Sequence, residues 1–284
     1  MSVSNLGNMA DEPVASRQGR KRKRRLQAGL EAIGLPLLSG VIMVGLWEIV
    51  VRRYHIPYYL VPAPSSIVEE IGKNWPLLFK ELGATIFAAA IGFAIALGLS
   101  IPLAAAIVSS RVVERMLYPW LIVSAAVPKV VIAPLFLVWF GFGLKSEVLF
   151  VVTFTFFPLI VNTVIGLKSA DPDLLQLVQS MGASRLQLLL KIRIPTALPN
   201  IFAGIKIAIT LAPVGAVVGE FVASNSGIGH LLVITVGNME TPLAFAAVAI
   251  FSVFGVLLWY AAERVESVML PWHASQRRVA APPV

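Results

Sequence analysis

Six stretches of this chain run for about 20 residues with almost no charge, and that recurrence narrows the possible folds more than any other feature. A soluble core of this size is built from apolar stripes at helical or strand period. Repeated runs near bilayer length instead predict helices that cross a membrane. The spans are expected at about residues 33–51, 82–108, 118–140, 148–167, 201–222 and 242–262. Composition agrees, since 57% of the residues are hydrophobic and 13% charged, about half the charged share of an ordinary soluble domain. The fold class is therefore an all-α membrane protein.

Charge fixes an expected orientation. Residues 1–27 are polar, end in the basic block Arg20 to Arg25, and are expected to be a disordered tail. The following apolar stretch lacks a small-residue cleavage signature and reads as an anchor. With both termini cytoplasmic, the 23 Lys and Arg divide into 16 on inner segments, 5 on outer ones and 2 within spans. That is the bias that sets topology. The six-span domain is expected over 28–272 and a C-terminal tail over 273–284. The +8 charge gathers at the ends of apolar runs and is not interleaved with aromatics, so no nucleic-acid partner is expected. Membrane lipid is the expected environment. A short helix is expected from Ser65 to Lys73, and the stretch from Ala223 to Thr241 is expected as an outer loop without Lys or Arg.

The loop over 168–200 carries the densest local signals. Asp171 suits a helix N-cap, Pro172 the first helical position, and Asp173 the positive helix end. Leu174, Leu175, Val178 and Met181 give that helix an apolar face. Gly182 suits the left-handed turn that ends it. Ser184 and Gln187 make a capping box for a second helix, expected to stop before Pro195. A hairpin of this kind in the cytosol is suited to lie in a partner's groove and pass motion to the adjoining spans.

At these residues the chain resembles the inner-membrane permeases of binding-protein-dependent ABC importers, in their nitrate, sulfonate, taurine, thiamine-precursor and riboflavin branch. The family pattern is an acid-Ala-Ala triplet, three residues, Gly, nine residues, then Ile-x-Leu-Pro. Here Gly182 is followed by nine residues to Ile192, then Arg193, Ile194 and Pro195. The triplet position reads Gln176, Leu177, Val178, a departure that replaces the family's acid with a group unable to form a charged pair. VPAP at Val61 to Pro64, LFLVWFGFG in span three and SGIGHL at Ser226 to Leu231 extend the similarity.

The resemblance implies a type I importer architecture and a prokaryotic inner (plasma) membrane location. It implies a homodimer of permeases, two ATP-binding subunits and an extracytoplasmic substrate-binding protein. Leu174, Leu175, Gln176, Val178, Met181, Gly182, Ala183, Ser184, Arg185, Ile192 and Pro195 would then couple to the ATPase. ATP and Mg would be bound by that partner and no cofactor by this chain. GAVVGEFV, SGIGHL and TPLAFAA look closest to the subgroup carrying a pyrimidine thiamine precursor or riboflavin. Alkanesulfonate, taurine and nitrate are the alternatives.

No GxxxxGK[ST] phosphate loop occurs in the sequence, so the chain is expected to be a transport subunit and not an enzyme. Glu220 and Lys206, 14 residues apart, lie on nearly one face of span five. They are candidates for the translocation pathway, as is Lys129 between Pro128 and Pro134 in span three. The alternative readings are that Glu220 and Lys206 each snorkel to the nearer interface and that Lys129 is a helix-end cation. Gly215 and Gly219 read as packing, Glu48 as an interfacial or helix-contact carboxylate, and Phe150 to Phe157 as lipid-facing and packing surface. His55 and His230 have no metal-like neighbours in sequence. A reading of another class, an ion-coupled secondary transporter using Glu220 and Lys206, wants an internal repeat that the chain does not display. A membrane enzyme finds no paired carboxylates or nucleophile with base.

Overall fold

The computed structural model describes residues 14–270, with side chains from residue 34 onward; the 273–284 tail lies outside the described residues. The described residues form ten α-helices, one 3₁₀ turn and one π-turn. Five helices are long and apolar enough to span, and a sixth span is completed if one bent pair is counted as a single crossing. Contacts divide the chain into two units, residues 1–66 and 67–284.

In the first unit, α1 (Val14–Arg53) begins inside the tail expected to be disordered, so the helical backbone extends that span by more than four turns. Most of its side chains from Leu35 to Val50 are exposed, as befits a helix facing an apolar medium. Glu48 is a helix-contact carboxylate. It pairs with Arg52 at 2.5 Å and accepts from the Ser65 amide at 3.0 Å and the Ser65 hydroxyl at 2.8 Å. The amide belongs to the first turn of the next helix, where carboxylates are favoured.

That helix, α2 (Pro64–Ser109), joins the expected short helix and span two into one element. Pro76 cannot donate, and its ring crowds the preceding turn, so the only departure from helical backbone is at Asn74. In the second unit, α3 (Arg111–Ala126) follows, and its N-cap Ser110 accepts from Val113. A 3₁₀ turn (Lys129–Ile132) and α4 (Ala133–Phe140) come next. The chain bends by 89° between α3 and the Lys129–Phe140 segment, at the prolines that interrupt span three.

α5 (Leu144–Lys168) and α8 (Ile194–Ala223) form the most extensive helix pair. Small residues let their backbones approach. A Cβ on Gly204 would meet Asn162 at 2.8 Å, one on Gly215 would meet Val151 Cα at 3.0 Å, and one on Gly219 would meet Glu147 Cα at 3.0 Å. The expected packing role of Gly215 and Gly219 is therefore met by α5. On the other side α2 approaches through Gly92, whose added Cβ would lie 2.4 Å from that of Val151. Buried hydroxyls are satisfied within their own helices: Thr155 donates to the Val151 carbonyl and Thr163 to that of Leu159, both at 2.7 Å. In an apolar medium such closure is required.

The stretch expected as an outer loop contains α9 (Ile228–Gly237), which packs on α8 and on α10 (Thr241–Met269). Its ten residues are too few to span, and Ile228 and Leu231 are buried.

Gly92→Ala should destabilise the protein by about 1–3 kcal/mol through overpacking, read as a lower melting temperature in detergent. Gly98→Ala, one and a half turns along the same helix with nothing within 4 Å of its added Cβ, should leave that temperature unchanged or raise it slightly.

Candidate functional site

The loop between α5 and α8 folds as its local chemistry dictates. Asp171 accepts from the Asp173 amide at 2.8 Å and caps α6 (Pro172–Ser180). Gly182 has a φ of +85° and donates to the Gln179 carbonyl at 3.0 Å, while Ala183 donates to that of Val178 at 3.3 Å. Those bonds close the end of α6. The capping box is complete: the Gln187 amide donates to Ser184 Oγ at 3.3 Å, and the Ser184 amide donates to Gln187 Oε1 at 2.8 Å. Lys168 anchors the loop's entrance, 2.5 Å from Glu114 of α3 and over the ring of Tyr118 at 5.5 Å.

The second helix does not stop before Pro195. α7 (Arg185–Leu188) opens into a π-turn (Leu189–Arg193), which leads without interruption into α8. A proline in a regular helix lacks a donor and presses on the carbonyl four residues back. The wider π-turn shifts the hydrogen-bond register just before Pro195, so Pro195 falls in the first turn of α8, where no donor is needed.

α6 has no buried residue. Leu174 is 44%, Leu177 59% and Met181 78% exposed, while Leu175 and Val178 are half-buried. The outward apolar stripe is therefore Leu174, Leu177 and Met181, and Leu177 is a member that the sequence pattern missed. Gln176, Gly182, Ser184, Arg185 and Pro195 are exposed, and Ala183 and Ile192 half-buried.

The three candidate pathway residues have separate partners. Lys206 pairs with Glu266 of α10 at 2.6 Å and lies 6.0 Å from the centre of the Trp259 ring. Lys129 sits over the rings of Phe154 and Phe157 at 5.5 and 5.8 Å. The Phe-rich run thus offers two ring faces to a cation as well as packing surface. Glu220 is 1% exposed and points to the start of α9, where its Oε2 accepts from the Gly229 amide at 2.7 Å.

Two residues outside the sequence-derived set complete that arrangement. Glu81 accepts from the Gly227 amide at 2.6 Å, and Thr85 Oγ1 accepts from the Ile228 amide at 2.9 Å. Three successive backbone donors of α9 are thus taken by oxygens from α2 and α8, matching the positive end of the helix. Gly227 has a φ of +97°, and a Cβ there would lie 2.2 Å from the Glu220 carboxyl carbon. SGIGHL is therefore the strand of backbone that fits around two buried carboxylates. Glu147, 5% exposed, lies against Gly219. Glu220 Oε1 has no hydrogen-bond partner. Among the described residues no group of three His, Asp or Glu is placed to hold a metal ion.

Residues 94–269 match the family described as binding-protein-dependent transport system inner membrane component. The chain is 36% identical to a formylaminopyrimidine transport permease of Halalkalibacterium halodurans, across 85% of this chain and 96% of that one. It is 36% identical to a riboflavin transport system permease of Chloroflexus aurantiacus, across 86% and 91%. It is 30% identical to a putative aliphatic sulfonates transport permease of Bacillus subtilis, across 93% and 94%. With helices of spanning length throughout and a family match over most of its sequence, this chain belongs to the binding-protein-dependent inner-membrane components and is a multi-pass permease subunit of an ABC transporter.

Proposed function

We propose that the chain forms, with a second copy of itself, the translocation pathway of an importer for a small heteroaromatic nutrient such as a pyrimidine thiamine precursor or riboflavin. Two ATP-binding subunits hold ATP and Mg and supply the energy. An extracytoplasmic binding protein delivers the solute. The substrate class rests on the relatives named for formylaminopyrimidine and riboflavin transport. The relatives named for aliphatic sulfonates and taurine support a second reading, an alkanesulfonate or taurine importer. In either case both termini and the 168–200 loop are cytoplasmic, as the distribution of Lys and Arg favours.

The observation that carries the mechanism is the unpartnered stripe Leu174, Leu177 and Met181 on a helix with no buried residue. Burying such side chains stabilises by about 1.5–3 kcal/mol each, enough to seat α6 in a groove on the ATPase. Leu175, Gln176, Val178, Ala183, Ser184, Arg185, Ile192 and Pro195 shape and flank that contact. ATP closes the ATPase dimer, the two α6 helices move together, and the pathway opens outward; hydrolysis restores the inward state. ATP achieves this only by binding the two conformations with different affinity. Glu220, Lys206 and Lys129 are the charged groups placed to line or to control the pathway.

Gly182→Val should uncouple uptake from ATP hydrolysis with normal membrane insertion. Space around Gly182 is open, so the substitution acts only through its left-handed backbone, at about 1–2 kcal/mol; undiminished uptake per ATP would count against the role of the elbow formed by α6, the turn at Gly182 and α7. Leu177→Ser should weaken co-purification of the ATPase by roughly tenfold or more, which a pull-down titration measures. Glu220→Ala orphans the Gly229 amide and should lower uptake per assembled transporter about tenfold or more. Glu220→Gln, which keeps an acceptor, should retain most of that activity in the same radiolabelled uptake assay.

A further inference from the structure

The side of the elbow toward the end of α2 holds a charged pocket that shares only Arg185 with the proposed ATPase contact. A cavity of about 170 Å³ is walled by Val108 and Ser109 of α2, Gln179 of α6, and Arg185, Leu188 and Arg193. At about 30 Å³ per water it admits a group the size of several waters. No carboxylate lines it. The Arg185 guanidinium has no hydrogen bond or ion pair among the described residues. Arg193 donates to the Leu167 carbonyl at 3.3 Å and has no acidic partner.

The π-turn places the second arginine. Eight residues of regular α-helix would leave Arg193 roughly 80° around the axis from Arg185. The turn over Leu189–Arg193 acts as an insertion of one residue, and the remaining separation of about seven brings the two within roughly 20°. Both guanidinium groups therefore line one cavity, each a planar fork of the kind that grips phosphate oxygens. Val108 and Leu188 supply an apolar flank, and the pocket lies where α2 and α5 end.

We propose that this pocket binds a phosphate group through Arg185 and Arg193, its source being the headgroup of an anionic phospholipid or a soluble phosphate. The proposal rests on the topology above, which sets the pocket at the inner leaflet, where basic recesses between helices meet anionic headgroups. A ligand there would bridge α2 to both arms of the elbow and so bias its position.

Binding is read without transport, so its failure is separable from failure of the coupling mechanism. The intact transporter in detergent is titrated with dioleoyl phosphatidylglycerol or dioleoyl phosphatidylcholine and examined by native mass spectrometry, with and without millimolar inorganic phosphate. The wild type should retain phosphatidylglycerol roughly tenfold better than phosphatidylcholine. Arg185→Gln should lose that preference and Arg185→Lys keep part of it. Arg185 flanks the proposed ATPase contact, so the assembled complex is confirmed in the same mass spectra before each titration, and Arg193→Gln, outside that contact, is titrated in parallel. Displacement by inorganic phosphate, or phosphate binding that disappears in Arg185→Gln, would identify a soluble source; a preference that phosphate does not displace identifies the lipid. Equal retention of the two lipids with no phosphate binding, or a preference unchanged in Arg185→Gln and Arg193→Gln, would overturn the proposal.

Discussion

The close approach of α5 and α8 is the contact on which the rest of the second unit depends. Lipid offers helices no hydrophobic drive toward one another, so the pair holds by packing along a seam where Gly204, Ala208, Ala212, Gly215 and Gly219 present almost no side chain. α2 closes on the same seam through Gly92 and the buried Ala88, Ala96 and Ala104. Because the spacing is set by missing side chains, the three helices have few alternative registers. They form a stiff frame to which the elbow and the α9 clamp, in which Glu81, Thr85 and Glu220 hold the first amides of that helix, are attached at opposite ends of α8.

Under the proposed coupling, that attachment is what would let a small loop drive a large protein. The elbow is the direct continuation of the seam: α5 ends at Lys168, α8 begins at Ile194, and the second arm reaches α8 with no intervening coil. A displacement of α6 is delivered to the start of α8 through hydrogen-bonded backbone. Gly182 separates the two arms and is the one place in the loop with left-handed backbone, so it sets the angle at which α6 stands off the frame.

Much of this was legible because its causes are local. Asp171, Pro172, Gly182, Ser184 and Gln187 act on backbone within three or four residues, and each takes the role that its chemistry implied. Five of the expected spans fall on long helices for a similar reason, since length and apolarity are properties of the run itself. The misses are of two kinds. Prolines mislead where the backbone absorbs them, as at Pro76, where one non-helical residue suffices, and at Pro195, where a π-turn does. Partners far along the chain cannot be read at all: Glu81 finds Gly227 across 146 residues, and Lys206 finds Glu266 across 60. α9 was missed because it is short and its signal is tertiary, resting on carboxylates that other helices supply.

Replacement of the family acid by Gln176 fits this mechanical picture. A charged pair at the ATPase surface would add direction to the docking, but an exposed pair contributes little energy. In the proposed contact Leu174, Leu177 and Met181 would carry more, because their burial would remove apolar area from water. Gln176 lies among them and still offers a donor and an acceptor, so the contact loses a charge without losing its apolar seat. Under that proposal, the force reaching α8 would depend on how firmly the stripe is buried and on the stiffness of the seam behind it. At the far end of α8, moving Glu220 away from α9 would strip the buried Gly229 amide of its acceptor, a cost that would oppose such a force.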